Sequence, residues 1–125
     1  SAHHPRVIES AEREGWDVDY YMTSLYYLTR PREELVKALG DVPLGEIYLP
    51  GDRERMLGVV RAARKPCLAY KVLGAGRTDL SHEGVRRTLS DTLKAIKPGD
   101  AMIVGMFQEF GDQVGANART VREMG

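Results

Sequence analysis

Residues 66–77 read Pro-Cys-Leu-Ala-Tyr-Lys-Val-Leu-Gly-Ala-Gly-Arg. The first eight, Pro66 to Leu73, form a nearly continuous apolar run, the pattern of a strand buried on both faces of a parallel sheet. Gly74, Ala75 and Gly76 end it, and from about Ser81 to Ile96 the apolar residues Val85, Leu89, Leu93 and Ile96 recur at helical spacing. Strand, glycine turn and amphipathic helix make one βα unit. The turn carries two readings: its backbone amides approach a phosphate, with Arg77 as counter-charge, or the loop simply needs glycine dihedral angles. Position 79 is Asp, so the Gly-x-Gly-x-x-Gly dinucleotide fingerprint is not completed.

The same alternation extends to both sides. Pro5 to Glu14 reads as a helix with proline in its first turn, Val7, Ile8 and Ala11 on one stripe, and Gly15 as terminator. Val18 to Tyr27 is rich in apolar and aromatic residues and reads as a strand with its exit loop. Pro31 to Leu39 is helical, with Glu33 and Glu34 at the positive end of the dipole and Gly40 at the stop. Val42 to Leu49 is bracketed by Pro43, Gly45, Pro50 and Gly51 and reads as loop. Asp52 is expected to cap a helix to Arg64 whose buried stripe is Met56, Leu57, Val59, Val60 and Ala63. After the turn Lys97-Pro98-Gly99-Asp100, a strand is expected over Ala101 to Met106 and a closing helix over Asp112 to Met124, with Val114, Ala118 and Val121 on one face.

Apolar strands alternating with amphipathic helices indicate an α/β protein built of βα units around a parallel sheet. Three strands are legible, with the tail of a fourth at Ser1. Such a sheet leaves two edges open, so the chain is expected to belong to something larger or to close on a partner, for example as a homodimer.

The 125 residues are 42% hydrophobic and 29% charged, in the range of one globular domain. Eighteen Lys and Arg balance eighteen Asp and Glu without a basic cluster, which argues against a nucleic-acid partner. No apolar run reaches the length of a membrane span, and the N-terminal residues lack the character of a signal peptide. The single cysteine, Cys67, excludes an internal disulfide, and a cytoplasmic location is expected.

Few residues carry chemistry. The junction from Gly105 to Asn117 again runs from a strand end to a helix N-terminus, a ready anion site. Lys71 interrupts an apolar strand; it is a Schiff-base lysine, a ligand contact, or half of a structural pair. Tyr26 and Tyr27 end the first strand, placed to stack on a ligand or to pack the rim. His3 and His4 are adjacent and diverge, so no metal site is expected, and Cys67 reads as an inert core thiol. No catalytic serine or cysteine constellation is legible.

With these stretches in view, the chain resembles the C-terminal half of an aldo/keto reductase. Ser1 to Val7 is similar to the end of that family's fifth strand, Val18 to Tyr27 to its sixth, Tyr70 to Arg77 to its seventh, and Ile103 to Met106 with Asp112, Gln113, Val114 and Asn117 to its eighth. The likeness runs along the whole chain in the family's order. It implies a partial (βα)8 barrel of the TIM type, about four βα units, with parallel strands alternating with helices. It also implies a nicotinamide dinucleotide, NADP or NAD, and a small-molecule carbonyl substrate. Tyr26 would stack on the nicotinamide and Ser1 lie near its carboxamide. The loop Leu73, Gly74, Gly76 and Arg77 would line the pyrophosphate, with Gly105 at the next strand end. Gln108, with Gln113 close by, would meet the adenosine 2′-phosphate, and Asn117 the adenine. Ala2 stands where the family carries asparagine, Phe107 and Gln113 where it carries basic residues, and Lys71-Val72 where it carries serine-proline. The family's acid–base residues lie in the other half of its barrel, so no catalytic residue is assigned to this chain; the alternative readings are a non-catalytic half-barrel that dimerises and binds a phosphorylated ligand, or a different TIM-barrel enzyme using Lys71.

Overall fold

The computed structural model describes residues 1–27, 29–109 and 111–124. Pro5–Glu14 form α1, Tyr21–Ser24 β1, Arg32–Leu39 α2, Asp52–Ala62 α3, Cys67–Tyr70 β2, His82–Ala95 α4, Ala101–Met102 β3 and Gln113–Met124 α5. The three strands lie side by side in the order β1-β2-β3, all parallel. β1 and β2 pair over four residues, Tyr21 against Cys67 through Ser24 against Tyr70. β2 and β3 pair over two, Leu68 with Ala101 and Ala69 with Met102, and Ile103 adds one bond from its N–H to the Ala69 carbonyl at 2.7 Å.

The expectation of about four βα units of a TIM barrel is overturned by this sheet. What was read as the tail of a fourth strand is one bridge, Ala2 against Thr23. The strand expected over Ala101 to Met106 is only Ala101–Met102, with the single Ile103 bond beyond it. A barrel wall needs every strand flanked along its length on both sides, and a short three-stranded sheet meets that condition only at β2. The molecule is a small α/β protein with an open parallel sheet and five helices among the described residues.

Local chemistry explains most element ends. α1 closes at Gly15, whose φ of 67° lets its N–H reach the Ala11 carbonyl. α2 closes the same way at Gly40. α3 begins after Gly51 at φ 88°, and Asp52 is its first residue, its Oδ2 accepting from the Leu49 N–H at 3.0 Å. Ser81 caps α4 by accepting from the Gly84 N–H at 3.1 Å. In the 97–100 turn the fully buried Asp100 carboxylate accepts from the Cys67 N–H at 2.8 Å and from Lys97 Nζ at 2.6 Å, tying the starts of β2 and β3 together.

The core lies on the sheet face that presents Tyr21, Cys67 and Ala69, and it continues into Ile8 and Ala11 of α1, Met56, Leu57, Val59 and Val60 of α3, and Leu89 of α4. The other face of β2 carries Leu68 and Tyr70, both half-buried, so this strand is fully covered on one side and not on both as its apolar run implied. The α3 stripe is buried at every expected position. Val7 and Val114, expected on buried stripes of α1 and α5, are exposed, and Thr120 is what α5 buries instead. No described helix is long and apolar enough to cross a membrane.

One cap makes stability depend on pH. His4 Nδ1 accepts from the Arg6 N–H at 3.2 Å at the start of α1, so it must carry no proton there. Burial holds the imidazole pKa below its usual 6.5, outweighing the Glu34 carboxylate 3.9 Å away. The folded state thus resists a proton that the unfolded chain accepts. The stabilisation is whole above the unfolded value and is lost as pH falls through the folded one. His4→Asn keeps an acceptor at the cap, and is expected to flatten the fall in urea midpoint between about pH 7 and 5. A variant whose midpoint falls as steeply as that of the native protein would show the loss arising elsewhere.

Candidate functional site

The two turns that leave β2 and β3 diverge and open a cleft of about 800 Å³ between them, a volume in the range of small-molecule sites. One wall is the Lys71–Gly76 turn with Leu80, His82 and Val85 at the start of α4; the other is Ile103–Phe107 with Gln113, Asn117 and Thr120 of α5. The walls are largely apolar, and Leu80, Ile103, Met106 and Phe107 stand exposed at the mouth. Polar groups are few: Lys71, Tyr70, His82, Gln113 and Asn117.

Backbone strain concentrates at this mouth. Lys71 at φ 58° and Ala75 at φ 51° are the described non-glycine residues with positive φ, and they bracket one turn. Each costs on the order of 1–2 kcal/mol relative to the right-handed conformation, a cost usually kept only where a site requires it. Gly74 sits between them at φ 57°, and a Cβ there would stand 3.4 Å from the Tyr26 ring and 3.3 Å from Thr78 Cγ2. The glycine is thus favoured by its positive φ, with the Thr78 methyl the tightest neighbour.

Of the residues picked from the sequence, Lys71, Leu73, Gly76, Gly105, Gln113 and Asn117 line the cleft. Ser1, Tyr26, Gly74, Arg77 and Gln108 do not. Ser1 reaches its edge indirectly, its Oγ lying 3.1 Å from the Tyr70 hydroxyl, which also meets His3 Nε2 at 2.9 Å. Tyr26 packs against Tyr48 with ring centroids 5.3 Å apart, and the Arg77 guanidinium lies 4.1 Å from the Tyr48 ring centre. Lys71 Nζ donates to Glu46 Oε1 and to Tyr48 Oη, each at 3.3 Å. The lysine is therefore half of an ion pair at the cleft edge.

Both expected anion sites are narrower than the sequence implied. In the glycine turn the N–H groups of Gly74, Gly76 and Arg77 donate to the carbonyls of Lys71, Leu73 and Gly74. At the start of α5, the Val114 N–H donates to Gln108 Oε1 at 3.0 Å and the Gly115 N–H to Asp112 Oδ1 at 2.8 Å. Gln113 Oε1 accepts from the Phe107 N–H at 2.8 Å. The cations Lys71 and Arg77, not free amides, are what these turns offer an anion.

Sequence reasoning missed Tyr70 and His82 in the cleft and Glu46 and Tyr48 beside it. Tyr70 was visible as the aromatic residue before Lys71, whereas Glu46 and Tyr48 lie in an irregular segment with no period to single them out. Cys67 is fully buried, its thiol pKa raised by burial, as befits a core residue. Among the described residues, no group of three His, Cys, Asp or Glu side chains is placed to hold a metal ion. Comparison of the chain with family models, curated proteins and solved structures finds no match.

Proposed function

We propose that the cleft beyond β2 and β3 binds a nicotinamide dinucleotide, NAD or NADP, in the service of carbonyl reduction of the aldo/keto reductase kind. What supports the reading is partial convergence: six of the eleven residues marked for a ligand by the sequence and the resemblance, Lys71, Leu73, Gly76, Gly105, Gln113 and Asn117, line one cleft. The donor set fits such a group. Apolar walls suit flat heterocycles, and Lys71 at the cleft edge, with Arg77 outside it against Tyr48, suits a diphosphate. The bound cofactor would supply a hydride to a carbonyl carbon.

This chain's own residues would bind and orient. Lys71 and Arg77 would neutralise the diphosphate, the Asn117 amide would bond a base edge, and Val72 with Leu73 would exclude water. Tyr70, with its hydroxyl already held by Ser1 and His3, would present a fixed ring to the ligand. The assignment covers cofactor binding and names no proton donor in this chain.

Titration with NADH and NADPH, followed by nicotinamide fluorescence, tests it. Saturable binding is expected, weakened about tenfold by Asn117→Ala or Lys71→Ala, the effect of one lost charge-assisted or amide bond. NADH is expected to bind at least as tightly as NADPH. The resemblance puts the 2′-phosphate beside Gln108, and the chain carries Phe107 and Gln113 where the family has basic residues. Absence of saturation by either nucleotide at millimolar concentration would overturn the proposal.

A further inference from the structure

Segment 41–51, between α2 and α3, lays two side chains over the cations at the cleft edge. Tyr48 is enclosed by Tyr26 at 5.3 Å, Arg77 at 4.1 Å and Lys71 Nζ at 5.6 Å from its ring centre. Its hydroxyl donates to Glu46 Oε2 at 3.1 Å, and the second oxygen of the same carboxylate accepts from Lys71 at 3.3 Å. Glu46 thus holds a negative charge against the cation that a phosphate would seek, and an aromatic ring covers the other. The Tyr48 and Lys71 hydrogen bonds, with Arg77 nearby, keep the Glu46 carboxyl below its ordinary pKa and so charged.

The rest of the segment is lightly held. Residues 41–46 are all exposed, and Leu44 projects entirely into solvent. Glu46 itself is half exposed. The strap is pinned at its far end, where the Leu49 N–H bonds to Asp52 Oδ2 at 3.0 Å, but before that point exposed ion pairs contribute little and loops of this kind open at small cost.

We infer that Glu46 is a stand-in for the ligand's phosphate, and that segment 41–51 is a strap which a phosphate-bearing ligand displaces from Lys71 and Arg77 on binding. The inference rests on the phosphate-bearing cofactor proposed above and concerns how that site is guarded. Competition by the strap lowers affinity by the fraction of molecules in which it is closed.

Calorimetric titration with inorganic pyrophosphate separates this from the cofactor reading. Glu46→Gln, isosteric and at a half-exposed position, preserves the fold and removes the competing charge. It is expected to bind pyrophosphate about three- to fivefold more tightly than the native protein, the scale of an exposed ion pair. Arg77→Gln is expected to weaken pyrophosphate binding in both backgrounds, and pyrophosphate is expected to speed amide exchange over residues 41–51. Equal affinity of the native protein and Glu46→Gln would overturn the inference, as would saturation of neither. A gain with pyrophosphate in a protein that ignores NADH would support the strap and dismiss the dinucleotide alone.

Discussion

Arg30→Met is expected to remove about 3–5 kcal/mol of stability, because it strands a buried carboxylate. The Arg30 side chain is fully buried and that of Asp52 is 2% exposed. Their ion pair joins the segment after β1 to the first turn of α3, and Arg30 also donates to the Tyr27 carbonyl while its guanidinium lies 4.1 Å from the Tyr27 ring centre. Asp52 uses its second oxygen on the Leu49 N–H. A loss of this size is a large share of the 5–15 kcal/mol that holds a typical domain together. Asp52→Ala is expected to be less damaging, because Arg30 keeps the Glu34 carboxylate 3.5 Å away. The double variant Arg30→Met/Asp52→Leu should recover much of the loss, since no unpaired charge is then buried. Urea denaturation measures all three, and a loss below about 1 kcal/mol for Arg30→Met would mean that the pair behaves as a solvated surface bridge.

Leu57→Ala is expected to lower stability by about 2–5 kcal/mol, the range for deleting a buried leucine side chain from a packed core. Leu57 is 1% exposed on α3, the helix whose core residues meet both α1 and the sheet. Leu44→Ala supplies the internal comparison. The same atoms are removed from a side chain wholly in solvent, where the change should stay within about 0.5 kcal/mol. Similar urea midpoints for the two variants would refute the placement of α3 at the centre of the core.

Where periodicity and a terminator coincide, the sequence was a reliable guide. The bounds of α1 follow from Pro5 and Gly15, the α3 stripe follows from its apolar spacing, and the 97–100 turn follows from Pro98-Gly99. The strands were legible in place but not in extent. Val18–Tyr27 and Ala101–Met106 have the apolar and β-branched character of strands, yet only Tyr21–Ser24 and Ala101–Met102 find partners. Pairing is settled by a neighbour's backbone, which no local pattern encodes. The barrel expectation failed for that reason, since it needs long ladders and this chain forms a short one.

The site divides in the same way. Lys71 and Leu73, just past the end of β2, line the cleft because a parallel sheet gathers its strand ends on one side, and Asn117 reaches the cleft from α5. Tyr26, which the sequence leaves either to stack on a ligand or to pack the rim, meets Tyr48. Its partner comes from a loop that has no period, so the contact was invisible in the sequence. The helix N-terminus at α5 looked free because a capping side chain six residues upstream, Gln108, follows no short-range rule.

The uneven ladder has one more consequence. β1 and β2 are joined by four rungs, β2 and β3 by two. The cleft wall bearing Phe107, Gln113 and Asn117 therefore rides on the tether that is easiest to part, while the wall bearing Lys71 stands on the sheet's stiffest pair. Opening the weaker seam breaks fewer backbone bonds, together with the Asp100 bond to the Cys67 N–H and the packing of Met102, Val104 and Val121 on the core. In amide exchange, the β2–β3 rungs are therefore expected to open before the β1–β2 rungs.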